Sequence, residues 1–439
     1  MSAASITATI IFAAMIATVL IGVPVYISVI SFSALGLYLT GGKAVFMQQF
    51  STGILSISSS YTFSVIPLFL IVGVLAGDTG MGESIFEAAK KWLGRLRGGL
   101  LYTVVGANAI FGACSGVSTA GTVVFTKIAV PELKKAGYDE TLSYGCIASA
   151  GCLSSLIPPS VGILTFCLLT EISIGTGLIC GFATGLIMVV VMFLSIFILS
   201  VVSPKRIPRV TEADSAITWR ERLKSLQLLI PVGALFALVI GGAFFGWFPP
   251  TVGGAIAAIA IIIYALAKRM PAKKIFLCVW DGAQTFAIIF LIVMGSQLLG
   301  RFIAITGLAK DVAGLIVSVG LSPFLVALII VVFYGICGCV MDAMAILLIT
   351  VPVVYPLMIG LGFNGFVVCI MLVLMAELGS ITPPFGMSVF TMATVLKEST
   401  TKIFKGVWPF IIVYLVVIFI ALLFPEAILW LPRLMGANV

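Results

Sequence analysis

The chain has 439 residues, of which 61% are hydrophobic and 9% charged, with 24 Lys and Arg against 16 Asp and Glu and no histidine. A soluble domain carries about a quarter charged residues, so this composition excludes a soluble globular protein and demands a bilayer as part of the solvent. The net charge of +8 sits in short loops between apolar runs, which excludes a nucleic-acid surface, and the missing histidine excludes His metal sites, Ser-His triads and His proton relays.

The first apolar run, Ser5 to Thr40, has no basic region before it and is too long for a signal-peptide core, so it reads as the start of the membrane part. Residues 1–78 are read as N-terminal scaffold helices. Met81 to Arg97 mixes Ile85, Phe86, Trp92 and Leu93 with Lys90, Lys91, Arg95 and Arg97, the pattern of an interfacial amphipathic helix, and predicts a cytoplasmic arm over 79–98. Lys and Arg accumulate on the cytoplasmic side. Placing those at 90–97, 127–135, 205–224, 268–274 and 397–405 inside satisfies 20 of the 24 and leaves Lys43, Arg301, Lys310 and Arg433 outside. The chain must then enter at about residue 99, turn near 112–118 and return by Lys127. That path is too short for two spans, so it predicts a re-entrant hairpin.

The next segment crosses outward from Thr141 through Pro158-Pro159 to Glu171, and a helix from Thr176 returns to the basic loop at 205; 99–175 is the first transport repeat. Scaffold helices and basic loops fill 176–299, with two spans flanking the turn Gly246-Trp-Phe-Pro-Pro250 and a third at about 283–300. An outer arm follows at 300–321. The second repeat, 322–396, holds a hairpin at 322–355, an uncharged loop at 356–365 and a broken helix at 366–396. A C-terminal scaffold helix occupies 397–439.

An offset of 225 carries Pro131-Glu-Leu-Lys-Lys-Ala-Gly137-Tyr138-Asp139 onto Pro356-Leu-Met-Ile-Gly-Leu-Gly362-Phe363-Asn364, and Pro158-Pro159 onto Pro383-Pro384. Upstream, Gly112-Ala-Cys114-Ser115 matches Gly335-Ile-Cys337-Gly338 at 223, two residues short. The first of these loops carries Lys134 and Lys135 and its twin carries no charge, which fits two copies in opposite orientation. The expected fold is therefore an all-α polytopic membrane protein of two inverted-topology repeats, each with a re-entrant hairpin and a discontinuous helix.

Two adjacent prolines remove two backbone donors and clash with preceding carbonyls, so a helix must open there. Within a bilayer such a break is tolerated only where it is buried in protein or lines a cavity, where carbonyls reach a cation and the restarting half-helix presents N–H groups to an anion. The small-residue hairpin tips let backbone approach an ion, and Ser115, Ser118 and Thr119 add hydroxyl oxygens suited to a hard cation. Close helix packing explains the same small residues, and both readings stand. Asp342 and Glu377 lie in apolar stretches, where an ionisable group is expensive. A functional role and a structural one, such as capping a hairpin or holding two helices, account for them equally. Most of the nine cysteines sit within apolar segments and read as small packing residues.

At these residues the chain resembles the large membrane subunit of TRAP transporters (tripartite ATP-independent periplasmic transporters), within the wider ion transporter superfamily. The resemblance covers most of the chain and is carried by Ser115-Gly116, the Pro131 to Asp139 stretch, Ile157-Pro-Pro-Ser160, Gly338-Cys-Val-Met-Asp342, Glu377-Leu-Gly379-Ser-Ile-Thr-Pro-Pro-Phe-Gly386 and Gly22-Val-Pro24. It implies no enzyme activity and no cofactor, but sodium-driven import of a small organic acid (a C4-dicarboxylate, sialic acid or a similar carboxylate) across the bacterial inner membrane by an elevator motion. It also implies two partners, a soluble periplasmic substrate-binding protein and a small four-helix membrane subunit, here a separate chain. The implied first sodium site uses Gly112, Ser115, Ser154, Ile157 and Pro159; the second uses Gly335, Gly338, Gly379, Thr382 and Phe385. Ser118, Thr119, Ser160, Asp342 and Glu377 are candidates for substrate contact or support. Many relatives have Gly where Ser154 stands and Ser where Gly112 stands. A stand-alone sodium- or proton-coupled carboxylate symporter of the same superfamily is the alternative.

Overall fold

In a computed structural model of the chain, residues 2–208, 218–242, 247–338, 340–384, 386–437 and 439 are described, and among them the structure is helical with no strand. Among the described residues seven helices are both long and apolar enough to cross a membrane, including Val25–Ser58, Ile174–Val202, Ala272–Thr306 and Thr400–Leu423. The eight described cysteines are all buried, with free thiols.

Glycines set how closely the long helices approach. Val25–Ser58, interrupted at Gly42 (φ 71), lies along Ala272–Thr306, where a Cβ on Gly36 would stand 2.7 Å from the Phe302 ring and one on Gly295 would stand 2.9 Å from Val29. Helix Val65–Asp78 lies against the same long helix, Gly282 facing Ile71. The expected span at 283–300 is thus the middle of a longer helix, with Lys274 near one end and Arg301 near the other.

Hairpin 1 consists of Gly99–Ser115 and Ser118–Lys135, and broken helix 1 of Glu140–Gly151 and Val161–Thr170. Hairpin 2 consists of Pro323–Gly338 and Ala343–Gly360, and broken helix 2 of Gly365–Ile381 and Met387–Leu396. The same four pieces therefore recur in the same order. The stretch from Pro131 is helical to Lys135, and the reversal is confined to the few residues around Gly137 (φ 75); its counterpart is Gly362 (φ 89). Proline inside a membrane helix is tolerated where neighbouring groups satisfy the freed carbonyl.

The basic loops assigned to one side of the membrane do meet at one end of the molecule. Lys90 pairs with Glu132 at 2.7 Å, Arg206 with Asp139 at 2.7 Å, and Glu140 receives both Lys402 at 2.5 Å and Lys134 at 3.1 Å. Lys402 and then Lys134 hold the Glu140 carboxyl below the usual carboxylate range. Near the other end of the long helix, Arg301 donates to the Gln49 side chain at 3.0 Å and Asp311 accepts from the Ser2 amide at 2.7 Å. Behind Glu140, the first half-helix crosses Thr400–Leu423 backbone to backbone: a Cβ on Gly145 would stand 1.9 Å from the Gly406 carbonyl oxygen, and one on Gly406 1.8 Å from that of Thr141.

Candidate functional site

The double prolines are where each broken helix opens. In the first, Glu140–Gly151 tightens into a 3-10 turn at Cys152–Ser155, passes the cis Pro158-Pro159 bond and restarts at Val161. Ser160 organises the restart: its hydroxyl accepts from the Ile163 amide at 3.1 Å and donates to the Ser155 carbonyl. In the second, Gly365–Ile381 ends at Thr382, whose hydroxyl donates to the Leu378 carbonyl at 2.6 Å; the cis Pro383-Pro384 bond follows and the helix restarts at Met387 with no side-chain cap.

Each hairpin tip docks on its own break. Gly116, at φ 62, ends the first hairpin helix, and a Cβ there would stand 1.9 Å from the Pro159 carbonyl oxygen; the Val161 amide donates to the Gly116 carbonyl at 3.2 Å. Gly112 packs on Ser154, where a Cβ would meet the Ser154 Cα at 2.9 Å and the Ile157 side chain at 3.4 Å. Of the first set implied by the resemblance, Gly112, Ser154 and Ile157 are therefore in contact, and Pro159 lies at the tip. Ser115 and Ser154 are fully buried and neither hydroxyl has a partner. The Ser115 carbonyl is pressed against the scaffold, since a Cβ on Gly73 would stand 2.4 Å from it. The hydroxyl, not the carbonyl, is the Ser115 oxygen left available.

In the second set, Gly338 and Gly379 touch backbone to backbone: a Cβ on either would come within 2.6 Å or less of the other's Cα. For Gly335, no atom of the described residues outside its own helix backbone and chain neighbours lies within 4 Å of where its Cβ would stand. Phe385 lies outside the described residues.

The supporting candidates separate. Asp342 caps Ala343–Gly360, accepting from the Met344 amide at 3.0 Å, which realises the capping role. Glu377 is 4% exposed and one carboxylate oxygen has no partner; it faces Ser155, Cys152 and Ser118. The Cys152 thiol lies 4.0 Å from the Glu377 carbonyl and 3.4 Å from the Ser380 hydroxyl. Cys152 and Glu377 are 225 residues apart, the offset that aligns the two double prolines, so corresponding positions of the two halves touch. Residue-type reasoning passed over Cys152, Ser155 and Asn108. The last had a signal, as the one carboxamide in the apolar run from Gly99 to Ser115.

A cavity of about 700 Å³ runs between hairpin 1 and the scaffold helices, from Val117 and Thr119 near the hairpin tip to Asp78, Glu83, Lys127 and Lys274 at the basic end. Thr119 lines this cavity, whereas Ser118 is buried toward Glu377. Two smaller cavities of about 260 and 430 Å³ share Gln297 and Arg301 near the opposite end.

Paired hairpins docked on broken helices within a set of membrane-length helices define a polytopic membrane transporter. The chain belongs to the family described as tripartite ATP-independent periplasmic transporter, DctM component, which matches residues 12–427. It is thus the large permease component of a three-part transport system, and not an enzyme. It is 28% identical over 386 residues to the C4-dicarboxylate TRAP transporter large permease protein DctM of Pseudomonas aeruginosa, covering 87% of this chain and 88% of that one. It is 26% identical over 440 residues to the ectoine TRAP transporter large permease protein TeaC of Halomonas elongata, covering 97% and 99%. With the sialic acid TRAP transporter permease protein SiaT of Haemophilus influenzae it shares 28% identity over 379 residues, 86% of this chain but 60% of that longer protein. In fold it is similar to the Alcanivorax borkumensis YdaH transporter, whose structure is described as having an unusual topology, at a TM-score of 0.62 and 14% identity over 90% of this chain and 88% of that one.

Proposed function

We propose that this chain is the membrane-embedded transport subunit of a sodium-driven, binding-protein-dependent secondary transporter that imports a small organic acid across a bacterial inner membrane. The observation that carries the ion-coupling part is the first seam, where Ser115 presents a fully buried, unpartnered hydroxyl between a hairpin tip and an opened helix. A neutral hydroxyl oxygen suits a monovalent hard cation, since divalent ions draw on carboxylates. In this reading the first site takes Gly112, Ser115, Ser154, Ile157 and Pro159, and the second takes Gly335, Gly338, Gly379, Thr382 and Phe385.

The substrate anion sits in the cavity beside Thr119, at the tip of hairpin 1. The names of the relatives cover a C4-dicarboxylate, a sialic acid and ectoine, which supports a small carboxylate. The cavity reaching Thr119 from the basic end is the release path of an inward-facing state. The two hairpin and broken-helix units are inverted copies that move together as the elevator, while Val25–Ser58, Val65–Asp78 and Ala272–Thr306 stay fixed; contact of positions 225 apart supports that pairing. A separate small four-helix membrane subunit and a soluble periplasmic binding protein complete the system.

Reconstitution in liposomes tests the whole reading. Uptake should require the binding protein and an inward sodium gradient. Uptake of free substrate by this chain alone would favour the stand-alone symporter, and uptake unchanged when potassium replaces sodium would sink the sodium assignment.

A further inference from the structure

Asn108 is completely buried on the first helix of hairpin 1, one turn before Gly112 and two before Ser115 on the same helical face. Its amide nitrogen donates to the Val104 carbonyl at 3.0 Å, and its Oδ1 has no partner. Among the described residues seven buried side-chain polar atoms are left this way, and Asn108 Oδ1, Ser115 Oγ and Ser154 Oγ all lie on this one seam. A buried oxygen without a partner is costly, and three on one seam need a common explanation.

The second helix of the hairpin supplies the geometry. A Cβ on Gly121 would stand 2.8 Å from Ser154 Oγ, 2.9 Å from Asn108 Oδ1 and 3.3 Å from the Gly151 carbonyl oxygen. Three oxygens from both the hairpin and the broken helix therefore converge beside Gly121, which has no side chain. Thr122 Oγ1 packs on Gly151, where a Cβ would stand 2.1 Å from it; its proton goes to the Ser118 carbonyl at 3.1 Å, so it is left to act as an acceptor.

We propose that Asn108 Oδ1, Ser154 Oγ, Thr122 Oγ1 and the Gly151 carbonyl form a further binding position for a monovalent cation of sodium size, deeper along the seam than the contact of Gly116 with Pro159. All four groups are neutral oxygens, and no cluster of acidic, histidine or cysteine ligands exists among the described residues to hold a divalent or transition metal. Asn108 is the ligand that sets its affinity. The proposal rests on the sodium-coupled reading above.

The test is thermal unfolding of the purified protein in lipid nanodiscs against sodium chloride, with choline chloride holding ionic strength. Asn108→Leu removes the oxygen at similar volume and should raise the sodium concentration for half-maximal stabilisation about tenfold, the loss of one bond to a charged group. Asn108→Asp keeps the shape and adds charge, so sodium should bind more tightly and its affinity should become pH-dependent, a change that a packing role would not produce. If a water molecule is the occupant, both variants superpose on wild type while Ser115→Ala shifts; that overturns this position and leaves the sodium reading intact. No sodium response in wild type or any variant overturns both. Should Asn108→Leu fail to fold, Asn108→Asp decides.

Discussion

The two seams share one backbone plan and differ in chemistry. In the first, Gly112 meets Ser154, and the hydroxyls of Ser115 and Ser154 are buried without partners. In the second, the corresponding approach is glycine on glycine, Gly338 against Gly379, and the Thr382 hydroxyl is already given to the Leu378 carbonyl. Equal helix-breaking sequences thus produce one seam with unpartnered hydroxyls and another in which, among the described residues, glycine backbone meets glycine backbone. The first half ought to respond to hydroxyl deletion, and the second to steric change.

The largest effect should come from closing the tighter seam. Gly379→Ala would put a methyl 2.5 Å from the Gly338 Cα, with backbone and no flexible side chain to yield. Overpacking of that kind costs about 1–3 kcal/mol, so the melting temperature should fall and uptake should be lost. Wild-type uptake in this variant would show that the second seam opens during the cycle. Next, Ser115→Ala should raise the sodium concentration for half-maximal uptake about tenfold with expression unchanged. Thr382→Ala removes a hydroxyl that has a partner, so its sodium curve should move by about threefold or less; a larger shift than that of Ser115→Ala would reverse the assignment of side-chain chemistry to the first half.

The smallest effect belongs to the clamp at the basic end. Glu140 has its pKa lowered by Lys402 and Lys134. A depressed carboxylate contributes stability above its unfolded pKa and loses it as pH falls through the folded one. Because the pair is substantially exposed, screening keeps the effect small. Acidification through the carboxylate range should therefore lower the melting temperature of wild type slightly more than that of Glu140→Gln, and an identical pH profile would remove the clamp from the comparison.

Particular residues show why the sequence was informative and where it stopped. The double prolines were legible because proline acts on its own backbone, wherever it is placed. The offset of 225 was legible because it is a property of order, and lysine-rich loops because charge cannot remain in hydrocarbon. The role of Asp342 as a cap, the partnerless oxygens at Asn108 and Ser154, and the meeting of Cys152 with Glu377 were not, since each depends on which helix lies opposite. The length of the helix from Ala272 to Thr306 was underestimated because its ends are polar while its packing partners are not local.

The sequence by itself determined a membrane protein, its two breaks, its two hairpins and the gathering of basic loops at one end, because composition, proline and charge act locally or through the bilayer. Only the tertiary structure decided that one seam holds unpaired oxygens and that the other brings Gly338 against Gly379. A hydrogen bond made or missing is a relation between two chain segments, and at Gly121 the deciding feature is the absence of an atom, which gains meaning only from the three oxygens folded around it.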